Sequence, residues 1–125
     1  MDVLCKKSAT ELADLIRKKE ASSAEIIRSH LQRIEEVNPD INAITIVLEE
    51  SSRKAAEIAD NASKEDRKRP LHGVPFTIKE NIDFLGTSTT NGIPILAESM
   101  PLRNAPIVDR MLAAGAIPIG RTNMP

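Results

Sequence analysis

The first sixty residues carry apolar positions at a helical period. Ser8 followed by Glu11 fits a capping box, in which the serine hydroxyl accepts an orphan backbone N–H and the glutamate reaches back to the cap. Leu12, Leu15 and Ile16 then share one face, and Lys18 and Lys19 suit the C-terminal end. Ser22 and Glu25 repeat the device. Ile27, Leu31 and Ile34 form a second stripe, with Ile26, His30 and Val37 at its margins, and Asn38-Pro39 is expected to close that helix. A third, alanine-rich helix is predicted over 49–62, with Ala55, Ile58, Ala59 and Ala62 facing inward. Between the second and third, residues 41–47 (INAITIV) are short and β-branched, which suits either a brief extended piece or a lead-in.

The pattern changes at Pro70. Residues 74–78 run apolar between Gly73 and Lys79-Glu80-Asn81, as a strand buried on both faces would, while Pro75 places the run near a strand start or edge. The stretch 86–92 (GTSTTNG) reads as a loop dense in hydroxyls. A short helix is predicted over 107–114, with Pro106 near its first turn and Gly115 at C′, followed by a strand over 116–120. Strand, helix and strand make a βαβ unit with parallel strands. The expected class is therefore α/β: a helical region over 1–62, a loop over 63–72, and the start of an α/β core over 73–125. Two parallel strands alone leave unpaired edges and apolar faces, so an incomplete domain is expected.

Composition narrows the function classes. The chain is 41% apolar but has only Phe76 and Phe84 as aromatics, so its core must be aliphatic and it lacks platforms for stacking bases. Seventeen basic against eighteen acidic residues leave no electrostatic footprint for nucleic acid or an acidic membrane. The densest basic run, 64–69 (KEDRKR), holds two acids and reads as a solvated loop. One cysteine, Cys5, excludes an internal disulfide. With no signal-like or membrane-spanning segment, a cytoplasmic location is expected. His30 and His72 lack ligand-spaced partners, and the glycines form no phosphate-cradling motif, so neither a metal nor a cofactor is expected.

Lys79 is the residue with most chemical promise. It falls at the C-terminal end of a predicted parallel strand, where α/β proteins place ligands, and an amine there is a possible base. The alternative is a salt-bridging lysine, since Glu80 and Asp83 lie close in sequence and a near carboxylate holds the amine protonated. Thr87, Ser88, Thr89 and Thr90 either line a pocket or hold their own turn. Arg121, Thr122 and Asn123 leave the second strand at the same sheet edge as Lys79, where Asn123 suits bracing a loop.

Three segments together resemble the amidase-signature family: LHGVPFTIKENID at 71–83, TTNG at 89–92 and AGAIPIGRTNMP at 114–125. The N-terminal helical pattern from Ser8 is similar to that family's opening helices. The resemblance implies the N-terminal part of an enzyme that hydrolyses a carboxylic amide to a carboxylate and ammonia or an amine. Its triad would be a serine, a second serine in cis peptide linkage and a lysine, the lysine matching Lys79. The family's glycine- and serine-rich signature, which holds both serines, has no counterpart in these 125 residues, so this chain alone is expected to be inactive. Ser88 and Ser99 lie outside any such motif. The implied partners are a small-molecule amide, and a homodimer mate or a complementing C-terminal part. The alternatives are a non-catalytic module presenting its helical apolar face, half of a split amidase, an amidotransferase subunit, or a self-contained serine–lysine hydrolase with a hydroxyl such as that of Ser88 within about 3 Å of the Lys79 amine.

Overall fold

A computed structural model describes residues 2–125. Helix α1 (Ala9–Arg17) opens on the expected capping box: the Ser8 hydroxyl accepts from the Glu11 N–H at 3.3 Å, and the Glu11 carboxylate accepts from the Ser8 N–H at 2.8 Å. Helix α2 (Ser23–Ile41) opens on the matching pair Ser22 and Glu25. It has a second anion at its start. Asp60, the last residue of α3 (Glu49–Asp60), accepts from the N–H groups of Ser23 and Ala24 at 2.7 and 3.0 Å, so one carboxylate caps α2 and ties it to α3.

The expected stop at Asn38-Pro39 is not where α2 ends. The helix runs through Pro39 to Ile41, because a proline so near the end removes a single backbone donor. Asn42, left-handed at φ 48°, closes it by donating to the Asn38 carbonyl at 2.7 Å. The Asn38 side chain then brackets Ile44, donating to its carbonyl at 2.9 Å and accepting from its N–H at 2.8 Å. Those bonds launch β1 (Ile44–Val47), so the ambiguous 41–47 stretch divides into a helix end and a strand.

The sheet has three strands in the order β1-β3-β2. Strand β2 (Pro75–Lys79) runs parallel to β3 (Ile117–Thr122), with α4 (Pro106–Ala113) in the connection between them, and β1 adds an antiparallel edge to β3. The architecture is thus α/β, N-terminal helices followed by a βαβ unit in a mixed sheet. Two strand expectations need correction. β2 is not buried on both faces: Ile78 is buried but Thr77 is exposed, as suits an edge strand. β3 extends past Gly120 to Thr122, which brings Arg121 into the ladder.

Both ladders slip by a residue. Against β2, the register passes from Phe76↔Pro118 to Thr77↔Gly120, leaving Ile119 unpaired; Pro118 has no N–H to offer a regular ladder. Against β3, the register of β1 passes from Ile44↔Thr122 to Ile46↔Arg121, leaving Thr45 unpaired.

Helix α2 is wedged between two apolar clusters. Ile27 and Leu31 pack with Ala56 and Ala59 of α3 and with Ile117 and Ile119 of β3. Ile26, expected at a margin, is fully buried on the other side with Leu12, Ala13 and Ile16 of α1 and with Val74. In α3 the inner face is rotated from the expected one: Ser52, Ala56 and Ala59 are buried, whereas Ile58 is 64% exposed. Helix α4 ends in a Schellman turn. Gly115, at φ 91°, donates to the Leu112 carbonyl at 2.9 Å while Ala116 donates to that of Met111 at 3.1 Å. A Cβ on Gly115 would also lie 2.8 Å from the His72 Cα, so glycine is required there twice over.

Candidate active site

Lys79 is the last residue of β2, half-buried and in register with Thr122. The carboxylates nearest to it in sequence are committed elsewhere. Glu80 is 1% exposed and accepts hydrogen bonds from the hydroxyls of Thr45 and Thr90. Asp83 accepts from the Thr89 hydroxyl at 2.7 Å. Among the described residues, no hydrogen bond or ion pair engages the Lys79 ammonium. The Glu80 carboxyl is held below the ordinary glutamate range. Burial opposes its ionisation, but the Thr45 and Thr90 hydrogen bonds and the nearby Arg121 charge outweigh that penalty.

Arg121, expected to leave the strand at the sheet edge, instead lies within it. It is fully buried, and its guanidinium is almost saturated. Nε donates to the Ile78 carbonyl at 3.3 Å. Nη2 donates to the carbonyls of Lys79 at 3.2 Å and Ile82 at 2.6 Å. Nη1 donates to the Thr87 hydroxyl and to the Ser88 carbonyl at 3.1 Å. Burial pulls its pKa down while Glu80 and Asp83 push it up; an arginine in this setting remains charged. GRT continues an apolar strand with no turn residue after Gly120, which suits a strand running on to Thr122, but the face that Arg121 takes depends on the slip at Ile119.

The hydroxyls of the 86–92 loop do not donate within their own turn; they tie the loop to residues on either side of it. Thr87 donates to the Phe84 carbonyl at 2.9 Å, Ser88 to the Ala97 carbonyl, Thr89 to Asp83 and Thr90 to Glu80. The Ser88 hydroxyl is therefore engaged away from Lys79, and among the described residues no other hydroxyl hydrogen-bonds that amine, so the self-contained serine–lysine arrangement finds no support. Asn123 braces the α2–β1 connection, its N–H donating to the Ala43 carbonyl at 2.8 Å and its side chain to that of Asn42 at 3.3 Å. His30 binds the Ile26 carbonyl and His72 that of Ala59, at 2.8 and 2.9 Å. Among the described residues no three His, Cys, Asp or Glu side chains gather as a metal site, and no helix is long and apolar enough to cross a membrane.

The sequence model of the amidase family matches residues 25–125, and so takes in most of α2, the sheet and Lys79. The chain belongs to the amidase family. It is 41% identical over 119 residues to the indoleacetamide hydrolase of Bradyrhizobium diazoefficiens, covering 94% of this chain and 23% of that protein. It is 37% identical over 114 residues to a glutamyl-tRNA(Gln) amidotransferase subunit of Caldanaerobacter subterraneus, covering 91% and 23% respectively. Among solved structures, a fatty acid amide hydrolase superposes with a TM-score of 0.89 at 29% identity, over 98% of this chain and 22% of that one. The chain thus spans about a quarter of the length of these amidase-family relatives.

Proposed function

We propose that the protein carrying this chain hydrolyses carboxylic amides and that Lys79 is the proton acceptor of its reaction. Family membership supports the reaction class. The observation that carries the residue assignment is the placement of Lys79 at the C-terminal end of a parallel strand, with both neighbouring carboxylates drawn off by threonine hydroxyls. The threonine hydroxyls hold both carboxylates away from a direct ion pair with the amine, which leaves it without a partner among the described residues.

In this mechanism the neutral Lys79 amine takes a proton from a bridging serine, which takes one from the nucleophilic serine as that oxygen attacks the amide carbonyl. Backbone N–H groups steady the tetrahedral oxyanion. The C–N bond breaks as the leaving nitrogen is protonated, and water then cleaves the acyl ester to release the carboxylate and regenerate the alcohol. The sum is amide plus water giving acid plus amine or ammonia. Both serines belong to the family's glycine- and serine-rich segment, outside the residues described above.

In the protein carrying this chain, Lys79→Ala lowers kcat/KM toward small amides by about a thousandfold, the scale of a lost general base. Turnover within a few-fold of the parent would remove Lys79 from the mechanism. A second reading, a subunit that supplies ammonia to a tRNA-linked acid, is favoured by the amidotransferase relative. It predicts that amide hydrolysis is weak until a partner protein and the charged tRNA are added. The non-catalytic module reading finds less support, because the helical apolar stripes it would present are already buried within the chain.

A further inference from the structure

We propose that Arg121 is a positioning residue for Lys79: its guanidinium fork fixes the backbone from which the lysine side chain departs. The inference rests on the reading of Lys79 as the reacting base and adds to it the group that sets its placement. Three of the five acceptors bound by the fork are the carbonyls of Ile78, Lys79 and Ile82, which bracket Lys79 and the turn after it. The other two, the Thr87 hydroxyl and the Ser88 carbonyl, anchor the following loop to the same centre. The lysine backbone is therefore gripped between a strand and a loop by one planar group with no torsional freedom among its donors.

The sheet is built to deliver that group. Residues opposite each other in a ladder share a face, and Arg121 is opposite Ile78. Phe76 and Ile78 line an apolar groove against Ile107, Val108 and Met111 of α4, whereas Ile117 and Ile119 pack toward α2 and α3. Regular alternation from Ile117 and Ile119 would put Arg121 on the α2 face; the extra residue at Ile119 transfers it to the other. The second irregularity leaves Thr45 free to reach Glu80, the countercharge of the same cluster. Both slips thus serve one polar centre, and that centre grips Lys79 through its main chain.

The test uses the protein carrying this chain and two readouts. The first is the rate at which a water-soluble amine-reactive ester acylates Lys79 relative to exposed Lys54 in the same molecule, read by peptide mapping. The second is kcat per titrated active site, with KM, on a small amide. Arg121→Lys keeps the charge and loses the fork. It is expected to change the Lys79:Lys54 ratio by at least about threefold and to lower kcat by about tenfold or more with KM nearly unchanged, since an ångström of misplacement costs up to about a hundredfold. Both readouts within about twofold of the parent would overturn the proposal, as would an equal rise in KM. Should Arg121→Lys not fold, Thr87→Ser and Thr87→Val decide: the serine variant keeps the parent ratio and the valine variant shifts it, and identical ratios overturn the proposal. The reactivity ratio does not depend on amide turnover. A catalytically competent Lys79→Ala therefore sinks the base assignment while leaving the positioning claim to stand or fall on that ratio.

Discussion

The two sides of β3 are held by opposite kinds of chemistry. Toward α2 and α3, Ile117 and Ile119 meet the aliphatic side chains of Ile27, Leu31, Ala56 and Ala59. Toward the end of β2, the same strand supplies Arg121 to a centre made with Glu80, Thr45, Thr87 and Thr90. Apolar contact is non-directional and roughly proportional to area, so it sets how firmly the helices hold the sheet. Hydrogen bonds to a planar fork are directional, so they set where individual atoms lie. Firmness and aim are thus assigned to different faces, and the face that aims is the one beside Lys79.

The sharpest way to break this contrast is to weaken the apolar face alone. Ile27→Ala should cost about 2–5 kcal/mol of stability by urea unfolding, through lost burial and the cavity left behind. In the molecules still folded, the Lys79:Lys54 acylation ratio should stay at the parent value. A ratio that moves as much as in the arginine variant would show that the two faces are not separate.

Glu80→Gln probes the aiming face and should cost less, about 1–3 kcal/mol at neutral pH, for a weakened buried hydrogen-bond pair. Its pH dependence is the more specific readout. The folded-state pKa of Glu80 lies below the unfolded value, which is near 4.3 for glutamate, so its contribution is complete above that value and is lost as pH falls through the folded one. The parent should therefore lose stability between about pH 4.5 and the acid limb more steeply than Glu80→Gln, as read from urea midpoints at several pH values. Parallel curves would mean that Glu80 is not held in its ionised form. The smallest effect, about 1 kcal/mol, is expected for Asp60→Ala, which removes the shared cap of α2 and leaves both faces of β3 in place.

The local features were legible from sequence because their causes are local. Ser8 with Glu11 and Ser22 with Glu25 find each other within one turn, and Gly115 ends α4 for reasons contained in four residues. The 71–83 and 114–125 motifs likewise placed Lys79 at a strand end and identified the family. What the pattern could not show was two-sided burial. Ile26 and Ile27 are adjacent, and a single-stripe reading must push one of them to the margin, although each is the centre of its own cluster. Asp60 caps α2 from 37 residues further along the chain, beyond any local rule. The two ladder slips were illegible for the same reason, since an extra residue in one strand exists only relative to its neighbour. Arg121 therefore read as a polar strand exit when it is among the most enclosed side chains of the chain.

The unpaired Ile119 makes β3 sensitive to the closing of its bulge in a way that its composition does not suggest. At constant chain length, a regular ladder would set Ile119 opposite Thr77 and turn the guanidinium into the aliphatic packing of α2 and α3. Deleting Ile119 would instead leave Arg121 opposite Ile78 and remove one aliphatic contact from that packing. Evolution can thus exchange the aliphatic residues of this strand for one another at modest cost, but a change that irons out the bulge turns the end of the strand inside out.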